Sequence, residues 1–184
     1  MKTIVLPSIN IKDRPHILLT GFMGAGKTTV GSLLATQLKR PFIDTDAEVQ
    51  RQTGMTAAQY IRRCGEAAFR QMESRFLNQA LMEGPSVIAP GGGAILNRFS
   101  RKRMLARGFV CWLSAPVAVL LRRLESSQDR PLLAGPDPKK KIQKLLWERI
   151  PLYEESHYQL DTSFKKPEQI SEEIVRYYES RLEH

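Results

Sequence analysis

The sequence predicts an α/β domain, a parallel sheet with helices on both faces. Three observations predict it. Five short apolar runs are separated by segments with helical spacing, the pattern of repeated strand–helix–strand units. The runs are apolar throughout rather than alternating, as strands covered on both faces are. The chemically versatile residues come just after the runs, where such sheets bind ligands. The length agrees, since 184 residues suit one domain of roughly 100–200.

The elements follow in order. Residues 1–15 read as a poorly ordered lead-in punctuated by Pro7 and Pro15, and residues 16–184 as one domain. Residues 16–21 are the first strand. Residues 27–39 are a helix, with Val30, Leu33, Leu34 and Leu38 close to one face. Phe42 and Ile43 form a short second strand before Asp44, and Ala47-Glu48-Val49 begins a helical stretch. Residues 56–63 and 66–83 are helices divided by Gly65. Residues 86–89 are a third strand, stopped by Pro90 and three glycines. A very basic helix spans 98–107, a fourth strand 109–113 and a helix 116–125. Residues 126–138 are rich in Ser, Gln, Asp, Pro and Gly and read as a loop. Helices at 138–150 and 167–182 flank a fifth strand at 158–161.

Composition narrows the function classes. Hydrophobic residues make up 42% and charged ones 26%, ordinary for a soluble domain. No run of about 18 apolar residues exists, so no membrane span is expected, and the apolar start is too short for a secretory signal. The two cysteines, Cys64 and Cys111, are isolated. That excludes a disulfide scaffold or zinc ribbon, favours a cytoplasmic location and suggests packing roles for both. His16, His157 and His184 lack metal-ligand spacing. The net charge of +9 fits nucleic acid, an anionic membrane or small anionic ligands. No aromatic RNA-binding motif or helix-turn-helix supports nucleic acid, so small anions are the better partners, and a monomer is expected.

Residues 21–28, Gly-Phe-Met-Gly-Ala-Gly-Lys-Thr, match G-x-x-x-x-G-K-[ST] between a predicted strand and a predicted helix, the context this phosphate loop needs. Gly24, Ala25 and Gly26 let backbone N–H groups curl toward phosphate oxygens, and the helix adds its positive end through Thr28 and Thr29. Lys27 supplies a cation for the β- and γ-phosphates, and the Thr28 hydroxyl suits Mg²⁺. ATP with Mg²⁺ is therefore expected. GTPase switches, motor ATPases and small-molecule kinases all use this loop. The third strand ends Ile88-Ala89-Pro90-Gly91 without an acid, and no Asn-Lys-x-Asp segment reads guanine. A small kinase fits best.

Further segments, in order, resemble the shikimate kinase family. They are Asp44-Thr45-Asp46, the run from Gly65 through Glu66, Phe69 and Arg70 to Glu73, Gly91-Gly92-Gly93, Arg130-Pro131-Leu132-Leu133, and Arg149 followed by Pro151-Leu152-Tyr153. A weaker one is Asp161-Thr162 with Pro167. The resemblance runs from about residue 16 to about 180. It implies a three-layer α/β/α P-loop fold of nucleoside-monophosphate-kinase type, with a five-stranded parallel sheet and a mobile lid at about 126–138. It implies transfer of the ATP γ-phosphate to the 3-hydroxyl of shikimate, giving 3-phosphoshikimate and ADP in aromatic amino-acid biosynthesis.

The resemblance also assigns roles. Arg70 and Arg149 match the carboxylate-binding arginines, a task suited to planar bidentate donors. Glu73 would orient Arg70 from behind, although that spacing also fits a surface ion pair. Asp46 matches the acid on the reacting hydroxyl, as base or as aligner. Asp44 matches the acid near Mg²⁺, and either acid also suits a helix N-cap. Gly91, Gly92 and Gly93 would offer backbone N–H groups to substrate. Pro90 stands where the family commonly has threonine. Arg130 would bring a guanidinium to the transferring phosphate, Arg123 would pack on adenine, and Lys165 would flank the base. A gluconate kinase is the rival enzyme, and a retired nucleotide-binding scaffold the rival of another class. Arg70, Glu73 and the glycines oppose the first, and intact Lys27, Asp46 and Arg130 the second.

Overall fold

The computed structural model describes residues 16–125 and 137–182. The five strands are β1 (His16–Thr20), β2 (Phe42–Asp44), β3 (Val87–Ala89), β4 (Gly108–Ser114) and β5 (Tyr158–Asp161). They form one parallel sheet in the order β2-β3-β1-β4-β5. β1 lies at the centre, and its Ile17, Leu18 and Leu19 are fully buried. That is why it reads as an unbroken apolar run. Edge strand β5 buries only Leu160.

Among the described residues eight α-helices connect or follow the strands: α1 (Lys27–Leu38), α2 (Thr45–Thr53), α3 (Ala57–Cys64), α4 (Glu66–Ala80), α5 (Arg98–Arg107), α6 (Val117–Glu125), α7 (Pro138–Tyr153) and α8 (Pro167–Ser180). α1 packs on α8 and β3, α5 on β4, and α6 on α7, so both faces of the sheet are covered. A separate small core of Val49, Phe69 and Phe76, with Tyr60, Ile61 and Met72 against it, ties α2, α3 and α4 together. This second core carries the predicted substrate arginine, Arg70, on its rim. Among the described residues, no helix is long and apolar enough to cross a membrane.

Several expectations are corrected. α4 ends at Ala80 rather than 83, because Gly84-Pro85 follows and the chain must turn into β3. α7 runs through Pro151 to Tyr153 instead of stopping at 150. Proline there removes the N–H that Trp147's carbonyl would accept and crowds that carbonyl, which the last turn of a helix tolerates better than its middle. A 3₁₀ turn, Ala94–Leu96, follows the glycines. Cys111 is buried as expected, but Cys64 is exposed at the end of α3, so packing does not explain it. Trp147, on α7, is 68% exposed. The expected lead-in and residues 126–136 of the expected lid, with Arg130, lie outside the described residues, and Pro138 already belongs to α7.

Candidate active site

Beyond the carboxyl ends of the strands lies a cleft of about 780 Å³. Its floor is the turn between β1 and α1. Gly21, Gly24 and Gly26 there have φ of 143°, 78° and 97°, a region L-residues rarely enter. Gly21 is required twice over, since a Cβ would stand 2.5 Å from the carbonyl oxygen of Leu113. Gly26 is the N-cap of α1 and offers no side-chain cap, so the first N–H groups of the helix face the cleft with its positive end behind them. Lys27 folds back to give its Nζ proton to the carbonyl of Gly21 at 3.0 Å.

The two predicted acids divide their work. Asp44 ends β2 and caps α2, its Oδ1 accepting from the N–H of Asp46 and of Ala47 at 3.0 and 3.3 Å. Its other oxygen accepts from the Thr28 hydroxyl at 2.7 Å. Asp46 does not cap. It sits in the first turn of α2 and opens onto the cleft. The surrounding protein still desolvates its carboxyl, pushing the pKa up to about 6, with Glu73 and Asp44 adding repulsion and Lys27 and Arg70 opposing it.

The glycine turn is shaped by charged side chains. A Cβ on Gly91 would meet Oε1 of Glu73 at 2.1 Å and Oδ1 of Asp46 at 2.3 Å. A Cβ on Gly93 would meet Nη1 of Arg70 at 1.8 Å. Gly92, between them, has open space and lines the cleft. Arg70 donates to Oε2 of Glu73 at 2.8 Å and to Glu66 at 3.1 Å. Glu73 is only 2% exposed, which removes the surface-pair reading of this spacing. Burial works against the Arg70 charge, and the two glutamates outweigh it and raise its pKa. Oε1 of Glu73 is buried without a hydrogen-bond partner. Arg149, on α7, donates to the Gly92 carbonyl at 3.2 Å, with its guanidinium 5.6 Å from the Phe22 ring centroid.

At the other end of the cleft stand Arg123, Lys165, Lys166 and Pro167. Arg123 reaches the carbonyl of Gly24 at 3.4 Å, and Thr162 at two points. Burial and the neighbouring Arg122 lower its pKa. Lys165 is paired with Glu173. One cleft thus gathers residues 24–29, Asp44, Asp46, Gly92, Arg123, Arg149 and Lys165, and Arg70, Glu73, Gly91 and Gly93 adjoin it. Arg130 lies outside the described residues. Sequence reasoning missed Phe22, Ile170 and Thr45, whose buried hydroxyl accepts from the Gly91 N–H at 2.7 Å. Thr45 had one available signal, its place between the two acids.

A family model for shikimate kinase matches residues 23–179. The chain belongs to the shikimate kinase family. It is 43% identical over 163 residues to a shikimate kinase of Caldanaerobacter subterraneus subsp. tengcongensis, covering 89% of this chain and 95% of that protein. A shikimate kinase of Mesorhizobium japonicum is 38% identical over 159 residues, 86% of this chain and 78% of that one. The shikimate kinase structure from Acinetobacter baumannii in complex with shikimate superposes with a TM-score of 0.86 at 39% identity, covering 95% of this chain and 98% of that chain. A gluconokinase from Sinorhizobium meliloti gives a TM-score of 0.61 at 18% identity, over 91% and 93% of the chains. That likeness shows the fold alone. Family membership makes this chain an ATP-dependent kinase.

Proposed function

We propose that this protein phosphorylates shikimate, moving the γ-phosphate of ATP onto its 3-hydroxyl. The observation that carries the reading is the buried Glu73 holding Arg70 against Gly93, beside the cleft that contains an uncapped phosphate loop, Gly92 and Arg149. A fixed guanidinium beside bare backbone suits a small carboxylate with hydroxyls, and Arg149 adds a second cation. A kinase for an uncharged acceptor has no use for that pair. The Acinetobacter relative binds shikimate.

In this reading Gly24, Ala25, Gly26, Thr28 and Thr29 hold the phosphates through their N–H groups. Lys27 leaves the Gly21 carbonyl for the β- and γ-phosphates. Arg70 and Arg149 hold the shikimate carboxylate, and N–H groups of Gly92 and Gly93 hold its oxygens; the Gly91 N–H, expected to join them, is instead committed to the Thr45 hydroxyl. The 3-hydroxyl oxygen attacks the γ-phosphorus in line, its bond to the ADP oxygen breaks, and Asp46 aligns the hydroxyl and accepts its proton. Arg123 and Lys165 flank adenine. Arg130 stays in the reading as a cation for the transferring phosphate on the strength of the resemblance alone.

The Thr28 hydroxyl and Asp44 carboxylate are hard oxygen donors 2.7 Å apart. They suit Mg²⁺, which takes few protein ligands beside phosphates and water. Among the described residues no cluster of three or more His, Cys, Asp or Glu competes for a metal. When bound, Mg²⁺ would neutralise charge on the β- and γ-oxygens. The reading includes a monomer working in the cytoplasm, which gel filtration and cell fractionation check.

The deciding experiment is coupled ADP release with Mg-ATP, comparing shikimate with gluconate at equal concentration. Turnover with shikimate alone is expected, and Arg70→Ala should weaken shikimate far more than ATP. Turnover with gluconate only, or equal losses for both substrates in the variant, would sink the reading.

A further inference from the structure

The base-binding end of the cleft depends on a residue that touches no expected substrate atom. Arg123 belongs to α6, and its guanidinium is gripped by one residue on a different element. Nη1 donates to the Thr162 hydroxyl at 3.0 Å and Nη2 to the Thr162 carbonyl at 2.6 Å. Nη1 also lies 3.4 Å from the Gly24 carbonyl in the phosphate loop. A planar fork held by two adjacent nitrogens has lost its freedom to turn about its long axis.

Thr162 can grip because it is itself fixed. It follows β5 and is fully buried. Its N–H donates to the Ser114 carbonyl at 2.9 Å, and its hydroxyl donates to the same carbonyl at 3.1 Å. A hydroxyl has one proton. Committing that proton to Ser114 turns the oxygen lone pairs toward Arg123. The order of bonds is therefore set by the pairing of β4 with β5, Ser114 opposite Asp161. Rigid sheet geometry passes through one hydroxyl to an arginine whose own side chain is long and flexible.

We propose that Thr162 is a positioning residue for nucleotide binding, fixing the plane of Arg123 so that its guanidinium packs on the base. The inference rests on the proposed packing of Arg123 on adenine. A residue acting through Arg123 on the base alone should not affect the phosphate loop. A residue acting through general support of that loop should affect both.

The test compares ADP with inorganic pyrophosphate, which occupies the phosphate loop without a base. Thr162→Val removes the hydroxyl and keeps the shape and the backbone bond to Ser114. It should weaken ADP about tenfold, the scale of one hydrogen bond to a charged group. Pyrophosphate affinity and the KM for shikimate should stay within about twofold of the parent protein. Thr162→Ser, which keeps the hydroxyl, should restore ADP binding. On an Arg123→Ala background, Thr162→Val should add nothing. Equal losses for ADP and pyrophosphate, or full additivity with Arg123→Ala, would overturn the inference. If Arg123→Ala alone leaves ADP affinity unchanged, the base-packing role of Arg123 fails and the inference with it. If Arg123→Ala weakens ADP while Thr162→Val does not, only the positioning role fails.

Discussion

Replacing Gly93 by alanine tests the carboxylate end of the cleft with a single methyl group. The backbone tolerates it, since φ at Gly93 is −98°. The side chain does not fit, because its Cβ would stand 1.8 Å from Nη1 and 2.3 Å from Cζ of Arg70. The guanidinium must retreat by roughly 1.5 Å to reach ordinary contact. That breaks the 2.8 Å bond to Glu73 and carries the fork away from its working position. The KM change comes from the lost contact between Arg70 and the shikimate carboxylate, a hydrogen bond between charged groups that contributes about 1.5–3 kcal/mol. Arg70 is 32% exposed, so it can find another rotamer and the lower half of that range applies. About 2 kcal/mol corresponds to a rise of roughly 30-fold in the KM for shikimate. The KM for ATP should not move. Glu73 loses its partner, so the melting temperature should fall by several degrees. Gly92→Ala is the control, because no atom lies within 4 Å of its Cβ position; its melting temperature should match the parent protein. Coupled ADP release with shikimate varied at saturating Mg-ATP, and a thermal melt, supply both readouts. A Gly93→Ala enzyme with normal shikimate KM, or with the ATP KM raised as much, would refute the idea that Arg70 is fixed there for the substrate.

Asp46→Asn should lower turnover by about 10²–10⁴ while ADP binding holds, and full activity would remove the proposed role of the carboxylate. In the nucleotide- and metal-free protein, carbon-13 NMR should find the Asp46 carboxyl titrating near pH 6, and a midpoint near 4 would contradict the desolvation argument. Thr45→Val should unfasten the Gly91 N–H, costing about 1–3 kcal/mol in denaturant unfolding; an unchanged midpoint would show that the turn stands without it. His16 is buried against Ser86, and burial lowers its pKa below the ordinary 6.5. The unfolded chain then takes up a proton first, so stability held above pH 6.5 is lost as pH falls through the folded-state value. Melting temperatures between pH 7.5 and 5 check this, and His16→Gln should flatten the acid-side loss.

The parts of this molecule legible in its sequence are those whose cause is local. Glycines at positive φ between an apolar run and a helix mark the phosphate loop, because few other local structures need them there. Each strand was legible to within about one residue: burial on both faces makes β1, β3 and β4 unbroken apolar runs, and the short edge strands β2 and β5 were marked by their place between helical stretches. What stayed hidden needs a partner far along the chain. Glu73 looks like half of a surface ion pair until the fold brings the Gly91 turn against its carboxylate and buries it. Asp44 and Asp46 look interchangeable until the turn into α2 gives one the cap and leaves the other facing the cleft. Cys64 looked like a packing residue, but α3 buries none of its residues, so a small apolar side chain there has nothing to pack against. The grip of Thr162 on Arg123 joins positions 39 residues apart, and strand order alone brings them together. Residue types with strong chemistry therefore announced the site, while the weaker ones that aim them, threonines and a phenylalanine, required the sheet.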